Sequence, residues 1–441
     1  MKNQTHNKTA TQNKTATQNI TKKQRSREPV KSQWKKIVLK GSPYEIGFQH
    51  GTEFKSELEK IRQMFPIYVK TELKQKYESF MTKIATTIKP IVQTENPDIY
   101  KEIEGISEGS GIPIDIILAW NAQMSVSSCP SRCSAFIATG DATKDGKIIM
   151  SHNTHSDFLS GQFFNVIFKI IPERGEPFIM QSAPGLVWSM TDWFITETGI
   201  VGCETTIDNE KYTPILGSPI FCRARNAMQF SYSIDDFIHY IKLGNGGDYP
   251  CSWLLGNIKT NEIAMVDIGQ KTHNVERTYN GVYYGINSPH NEELRQSITK
   301  YPQDYSDLNT SIGSRNHRFK TLFEKYYGKI DASLSRRIIA DHYDSFTKTE
   351  NPGIRTICKH CELSGEATKR GRMPYFLAGS TDAKIVTTDM AEKMEFEAIW
   401  GPPCKHPFHI KPFMTKHPEY RYLEPYLADW KNGKWTTIKF K

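Results

Sequence analysis

Cys133 begins a β-rich run, Cys133-Ser-Ala-Phe-Ile-Ala, directly after the tight polar segment Ser127-Ser-Cys-Pro-Ser-Arg132. A cysteine at a strand start is ordinarily a small buried hydrophobe. Here the next β-rich run, Lys147-Ile-Ile-Met-Ser-His152, leads into the polar cluster Ser151-His152-Asn153-Thr154-His155. Pairing across a hairpin brings His152 toward Cys133, an arrangement suited to attack on an acyl carbonyl. A free thiol with pKa about 8.5 is only a few per cent ionised at pH 7, so a base or cation must help. Cutting the Arg132–Cys133 bond would supply one. The new α-amine, with a pKa of about 7.7–8.0, is neutral often enough to take the thiol proton, and a histidine can tune or share that role. The tetrahedral intermediate also needs donors for its oxyanion, such as an Asn amide or an Arg.

A second cluster is Cys358-x-x-Cys361 with His360, Cys404 and His406. Zinc takes four N or S ligands, often with a CxxC as one half of the set. The other half here is the loose Cys404-Lys-His406, which makes zinc the weaker reading. A redox CxxC belongs beside a βαβ unit, and the pattern shows none. No GxGxxG follows a strand, and neither a phosphate loop nor an HExxH is present, so the sequence implies no metal and no organic cofactor.

The elements that must position these residues follow from periodicity and punctuation. Trp34–Lys40 reads as a strand, and Ser42-Pro43-Tyr44-Glu45 opens a helix by its cap, proline and first-turn acid. Helical spacing continues to about Met124. From Cys133 the pattern is β-rich, with Asp145-Gly146 as a hairpin signal. Strands are expected at 133–138, 147–152, 164–171, 178–181, 200–206, 253–257, 263–268, 282–286, 383–387 and 394–400. Helices are expected at 219–230, 234–243, 314–327 and 332–343. Runs of strands divided by helical pairs indicate an α+β layered fold.

The 441 residues carry a net charge of +9, but that charge is local. Residues 1–36 hold ten of the 57 basic residues and one of the 48 acidic ones, so the remainder is balanced. The basic character belongs to a tail, and no nucleic-acid partner is expected for the folded part. Residues 1–33, with the repeat NKTATQNKTATQN, have too few apolar side chains to offset ordering entropy and read as disordered. Four Asn-x-Thr sequons begin at Asn3, Asn7, Asn13 and Asn19 and matter only in a secretory compartment. No apolar signal segment precedes them, and no apolar stretch reaches the roughly 20 residues of a membrane span.

The segment Cys133-Ser-Ala-Phe…Lys147-Ile-Ile-Met-Ser-His152-Asn-Thr-His155 resembles the phospholipase B-like proteins. These are N-terminal-nucleophile (Ntn) hydrolases related to penicillin acyltransferase, bile-salt hydrolase and acid ceramidase. The resemblance continues through Ser182-Ala-Pro-Gly185, Ser189-Met-Thr-Asp-Trp-Phe194, Glu204-Thr-Thr-Ile207, Asn245-Gly-Gly-Asp-Tyr249, Gly285-Ile-Asn-Ser-Pro289, Cys358-Lys-His-Cys361 and Asp382-Ala-Lys-Ile385. It covers about 133–410 in order. Tyr44-Glu-Ile-Gly-Phe-Gln-His-Gly51 is similar to the acyltransferase branch of the same superfamily.

The resemblance implies a four-layer αββα Ntn-hydrolase sandwich that cleaves itself between Arg132 and Cys133. A helical leading chain, 34–132, would then stay associated with a catalytic chain, 133–441. It implies Cys133 as nucleophile and His152 as the active-site histidine. Asn287 would serve the oxyanion, and Arg315 would be the active-site arginine, with Arg318 a near neighbour. Glu204, Thr206 and His155 would line the substrate pocket. The usual residue at the last position is Trp, so His155 puts a titratable ring in place of a broad apolar wall. Cys358–Cys361 would be a structural disulfide. The implied substrate is a lipid or N-acyl small molecule, cleaved as an acyl ester or amide through a Cys133 thioester. Acyl-CoA-dependent acyl transfer and an inactive binding scaffold are the alternatives. Family location is lysosomal or secreted; the lack of a signal segment keeps cytoplasmic and particle-associated locations open.

Overall fold

The computed structural model describes residues 33–127, 133–207, 217–269, 272–298, 304–366, 372–431 and 433–440. Residues 1–32 of the tail, Arg132 and the Arg132–Cys133 bond lie outside the described residues.

The leading segment starts with β1 (Lys35–Gly41) and continues through α1 (Pro43–Glu53), α2 (Lys55–Thr71), α3 (Tyr77–Lys83), α4 (Lys89–Glu95), α5 (Pro97–Ser110) and α6 (Ile114–Ala122). The start of α1 is written in its sequence. Ser42 accepts from the Glu45 backbone N–H, Glu45 returns a bond to the Ser42 N–H, and Pro43 occupies the first turn. Helices α1 and α5 cross with their backbones nearly touching. A Cβ added at Gly47 would lie 2.0 Å from the Glu102 carbonyl oxygen, and one at Gly105 would lie 2.2 Å from that of Tyr44. Gly51 and Gly109 meet the opposite helix in the same way. The glycines of the 44–51 segment are therefore explained by close helix packing.

After the leading segment come β2 (Ser134–Gly140), β3 (Gly146–Asp157), the single turn α7 (Phe158–Gly161), β4 (Val166–Pro172), β5 (Phe178–Ser182), β6 (Trp193–Thr196) and β7 (Ile200–Thr206). Helices α8 (Ile220–Phe230) and α9 (Ile234–Lys242) precede β8 (Cys251–Asn257), β9 (Glu262–Ile268), β10 (His273–Thr278) and β11 (Gly281–Gly285). Helices α10 (Glu292–Ile298), α11 (Ser311–Tyr326) and α12 (Ala332–Ile339) lead to the short pair β12 (Tyr343–Asp344) and β13 (Thr349–Glu350). The last strands are β14 (Ala378–Thr387), β15 (Phe396–Trp400) and β16 (Thr436–Ile438).

These strands form two large sheets, ordered β1-β4-β5-β6-β7-β8-β9-β10 and β11-β2-β3-β14-β15-β16. All their pairings are antiparallel except β1 with β4, which runs parallel from Lys35↔Val166 to Gly41↔Pro172. Strands β2 and β11 of the second sheet pack on β7, β8 and β9 of the first. Helices α8 and α9 cover the other side of the first sheet, and α12 covers β3 and β14. The result is the expected α+β, four-layer αββα sandwich.

Strand β2 shows why both of its faces are apolar. Ala135 and Ile137 join the core shared with the first sheet, whereas Phe136 and Ala138 join Phe319, Phe323 and Ile338 of α11 and α12. Side chains alternate by two along a strand, so every position of β2 has a fixed side. The hairpin turn is where the sequence placed it, with Gly146 at φ 75°. Strands β6 and β10 were not anticipated. β6 follows a segment of turns, and β10 is a half-exposed edge strand without a strong apolar period. Helix α12 ends at Ile339, four residues short of expectation.

The α1–α5 contact gives a stability test. Gly47→Ala and Gly105→Ala each force backbone apart and should cost at least about 1–3 kcal/mol. Gly353→Ala, whose nearest neighbour would be 3.7 Å away, should be near neutral. Chemical-denaturation midpoints of the three variants check this. Equal midpoints would show that the helix pair yields without cost.

Candidate active site

The period of β2 sends Cys133, two residues before Ala135 and therefore on the same side, into the layer between the sheets. Its thiol is buried, with Sγ donating toward Asp192 Oδ2 at 3.8 Å. Across the hairpin, Ala135 pairs with His152 and Ile137 with Met150, so His152 shares that side. One side-chain atom each of Cys133, His152 and Asp192 lies within 4.8 Å of the others. The His152 Nε2 bonds to the Glu204 carbonyl oxygen at 2.9 Å, which joins the second sheet to β7 of the first.

The next strand extends this polar layer. Lys384 of β14 pairs with His152, and Asp382 pairs with Thr154. The Lys384 ammonium donates to Asp382 at 2.7 Å and to Thr154 Oγ1 at 2.6 Å, all fully buried. Gln181 from the facing sheet donates to the other oxygen of Asp382 at 3.0 Å. Glu204 accepts from the Tyr249 hydroxyl at 2.5 Å, and that hydroxyl also meets Thr206 Oγ1 at 2.6 Å.

The backbone around the thiol is held from the opposite side. Arg315, fully buried on α11, donates to the Cys133 carbonyl at 2.8 Å and to the Ser134 hydroxyl at 3.1 Å. Its other amino group donates to the Ile286 carbonyl and to Asn287 Oδ1, both at 2.9 Å. Asn287 in turn donates to the Thr206 carbonyl at 2.8 Å. A planar guanidinium presents five donors in a fixed fork, which suits this four-point clamp. Arg318, one turn further along, pairs with Asp341 instead, so the two neighbouring arginines are distinguished by geometry.

Cys133 has left-handed backbone, with φ 84°, that its type does not favour. Such a conformation costs on the order of 1–3 kcal/mol and persists only where the surroundings enforce it. Asp192, at φ 61°, and Asn287, at φ 69°, are of types that tolerate it. Electrostatics keep the thiol protonated. Burial pushes it well above its ordinary range, Asp192 and Glu204 add to that, and the His155 backbone N–H works against them. Burial, reinforced by Lys384, holds His152 well below the usual imidazole range and therefore neutral.

Cys133, His152, Glu204, Thr206, Asn287 and Arg315 are thus brought together. His155 is not among the side chains that face the thiol. It lies three residues from His152 on an extended strand, so its ring projects to the other face, where Nε2 bonds to the Ile357 carbonyl at 3.1 Å. The contrast between His155 and an apolar wall therefore does not bear on the pocket beside Cys133. The implied Cys358–Cys361 disulfide is also absent. Both are free thiols, and Cys358 turns toward His360 while Cys361 starts a separate short helical turn. Asp192, Tyr249, Asp382 and Lys384 were missed as site residues. Each sits inside a segment already quoted for the resemblance; the pairing of β3 with β14 brings in Asp382 and Lys384, and Asp192 and Tyr249 reach the layer from the facing sheet.

Comparison with known proteins places the chain. An uncharacterized protein of Archaeoglobus fulgidus is 21% identical over 348 residues, covering 68% of this chain and 56% of that protein. This chain thus spans little more than half the length of that relative. Two solved structures of conjugated bile acid hydrolase from Clostridium perfringens, each carrying a single substitution, are also similar. The first, a mutant in which alanine replaces a cysteine, is 10% identical over 60% of this chain and 88% of its own, with a TM-score of 0.34. The second, a variant in which leucine replaces an arginine, is 11% identical over 61% and 81%, with a TM-score of 0.29. The family model for Phospholipase B matches residues 10–438, nearly the full length. The chain belongs to the Phospholipase B family.

Proposed function

We propose that this protein is a cysteine hydrolase of the Ntn type that activates itself by cutting the Arg132–Cys133 bond and then cleaves an acyl ester or acyl amide. The observation that carries the reading is Cys133 itself. It is held at φ 84° at the head of β2, its thiol faces Asp192 and His152, and its carbonyl is clamped by Arg315. Family membership supports a hydrolase of this broad kind.

In the uncut chain the thiol is neutral and buried, so it is a poor nucleophile until strain and proximity favour attack on the preceding carbonyl. That attack moves the Arg132 acyl group from the Cys133 nitrogen to Sγ and frees the α-amine. Water then hydrolyses the thioester, leaving Cys133 as an N-terminus. The new amine accepts the thiol proton as sulfur attacks the substrate carbonyl, and it returns that proton to the departing alcohol or amine. A second water releases the acid. Asn287 and the Arg315 clamp lie beside the reacting centre, where donors aimed at an oxyanion stabilise the transition state. The seven-residue pairing of β1 with β4 would keep the leading chain bound after the cut.

A phospholipid, a lysophospholipid or an N-acyl compound is the substrate class this reading supports. Asp192 would tune the thiol, because its carboxylate raises the energy of a thiolate less than 4 Å away.

Two results test the proposal. Intact-mass analysis after incubation from mildly acidic to neutral pH should give a fragment beginning at Cys133 in the wild type and none in Cys133→Ala. A single uncut chain throughout would leave an inactive scaffold as the better description. In Asp192→Asn the thiol loses a neighbouring negative charge, so its pKa falls. The acid limb of the self-cleavage pH profile should move to lower pH by about one unit. An unmoved limb would remove Asp192 from the control of thiol ionisation.

A further inference from the structure

The loops outside the second sheet bring together four side chains that the catalytic reading does not use. His342 precedes β12, Cys358 and His360 follow β13, and Cys404 follows β15. One ligand atom from each lies within 4.8 Å of all the others. The His360 Nε2 is 3.4 Å from Cys358 Sγ and 3.4 Å from Cys404 Sγ. A tetrahedral zinc ion, with bonds of about 2.3 Å to sulfur and 2.0–2.1 Å to nitrogen, would separate sulfur and nitrogen ligands by about 3.5 Å. The observed spacing fits that edge.

The surroundings fit as well. The far ring nitrogen of His360 bonds to buried Glu362 at 2.7 Å, which turns Nε2 toward the two sulfurs. Metal-bound histidines almost always have such an outer partner. Cys404 Sγ accepts the backbone N–H of His406 at 3.4 Å, across a residue, Lys405, in left-handed conformation. Among the described residues, the buried Nε2 of His342 makes no well-formed hydrogen bond, and the His342 side chain interacts with the Cys404 sulfur. His406, which the linear spacing suggested as a ligand, acts through its backbone, and His342, which no spacing pattern connected to the others, completes the set.

We propose that His342, Cys358, His360 and Cys404 form a structural zinc site that pins three loops to the back of the catalytic sheet. With four protein ligands the site has no open position and is not a second catalytic centre. Its position gives it a task. The neighbouring Ile357 carbonyl accepts from both His155 and Asn153 of β3, so fixing Cys358 fixes the outer face of the strand that carries His152 on its inner face.

The test is elemental analysis of the reduced full chain after incubation with zinc and removal of the excess. The wild type and Cys133→Ala should each hold about one zinc per chain, and Cys404→Ala should hold none. Replacing zinc with cobalt should give the visible bands of tetrahedral cobalt with a thiolate charge-transfer band. Glu362→Gln preserves volume and should bind zinc about 10–100-fold more weakly in chelator competition, which guards against a merely unfolded cysteine variant. A metal-free wild type, zinc retained in Cys404→Ala, or a Cys358–Cys404 disulfide in the mass map would each overturn the proposal.

Discussion

The two-residue period of β2, sealed on both faces, is the constraint from which the site follows. One face is packed against the facing sheet and the other against α11 and α12. A slip of one residue would exchange the two faces, driving Phe136 toward Asp192 and the Cys133 thiol toward the phenylalanines of α11. Apolar burial on the outer face therefore fixes the direction of a nucleophile on the inner one. The same period, passed through the hairpin to β3 and on to β14, sets His152, Thr154, Asp382 and Lys384 beside the thiol.

Such a layer is costly to bury, because unpaired polar groups and charges lose their hydration. The chain offsets that cost by pairing within the layer. Lys384 meets Asp382 and Thr154, Gln181 meets Asp382, and Glu204 meets Tyr249. Buried pairs of this kind add little net stability but make removal of one partner severe. Their contribution here is positional, since the bonds from Gln181 and His152 cross between the two sheets. Arg315 does the equivalent for the backbone by tying the start of β2 to the end of β11.

Much of this was legible in the sequence because local chemistry specified it. The Ser42–Glu45 cap, the Asp145-Gly146 turn and the alternating runs of β2 and β3 need no distant information. From the hairpin alone, His152 falls beside Cys133. The ring of His155 faces away from the thiol because positions 152 and 155 differ by an odd number along one strand and cannot share a face, a constraint that a family resemblance alone does not carry. Asp192, Lys384 and His342 were illegible for another reason. Their proximity to the site or cluster depends on pairings between segments far apart in the chain, and no spacing in a single chain encodes those. The glycines at 47 and 51 show the converse: a motif that looks functional in sequence is accounted for by two helix backbones in contact.

The strain at Cys133 and the architecture of the leading segment belong together. A left-handed cysteine is tolerated because Arg315 holds its carbonyl and the hairpin holds the strand that follows. Cutting the preceding bond would release one constraint on that conformation while leaving the clamp in place, so the new N-terminus would appear already positioned beside Asp192 and His152. The leading segment would lose only its covalent link. Its strand β1 is paired along seven residues with β4, and α1 is locked against α5 within the same segment. Self-cleavage on this scaffold would thus change the chemistry of one atom, the Cys133 nitrogen, without requiring the sheets to rearrange.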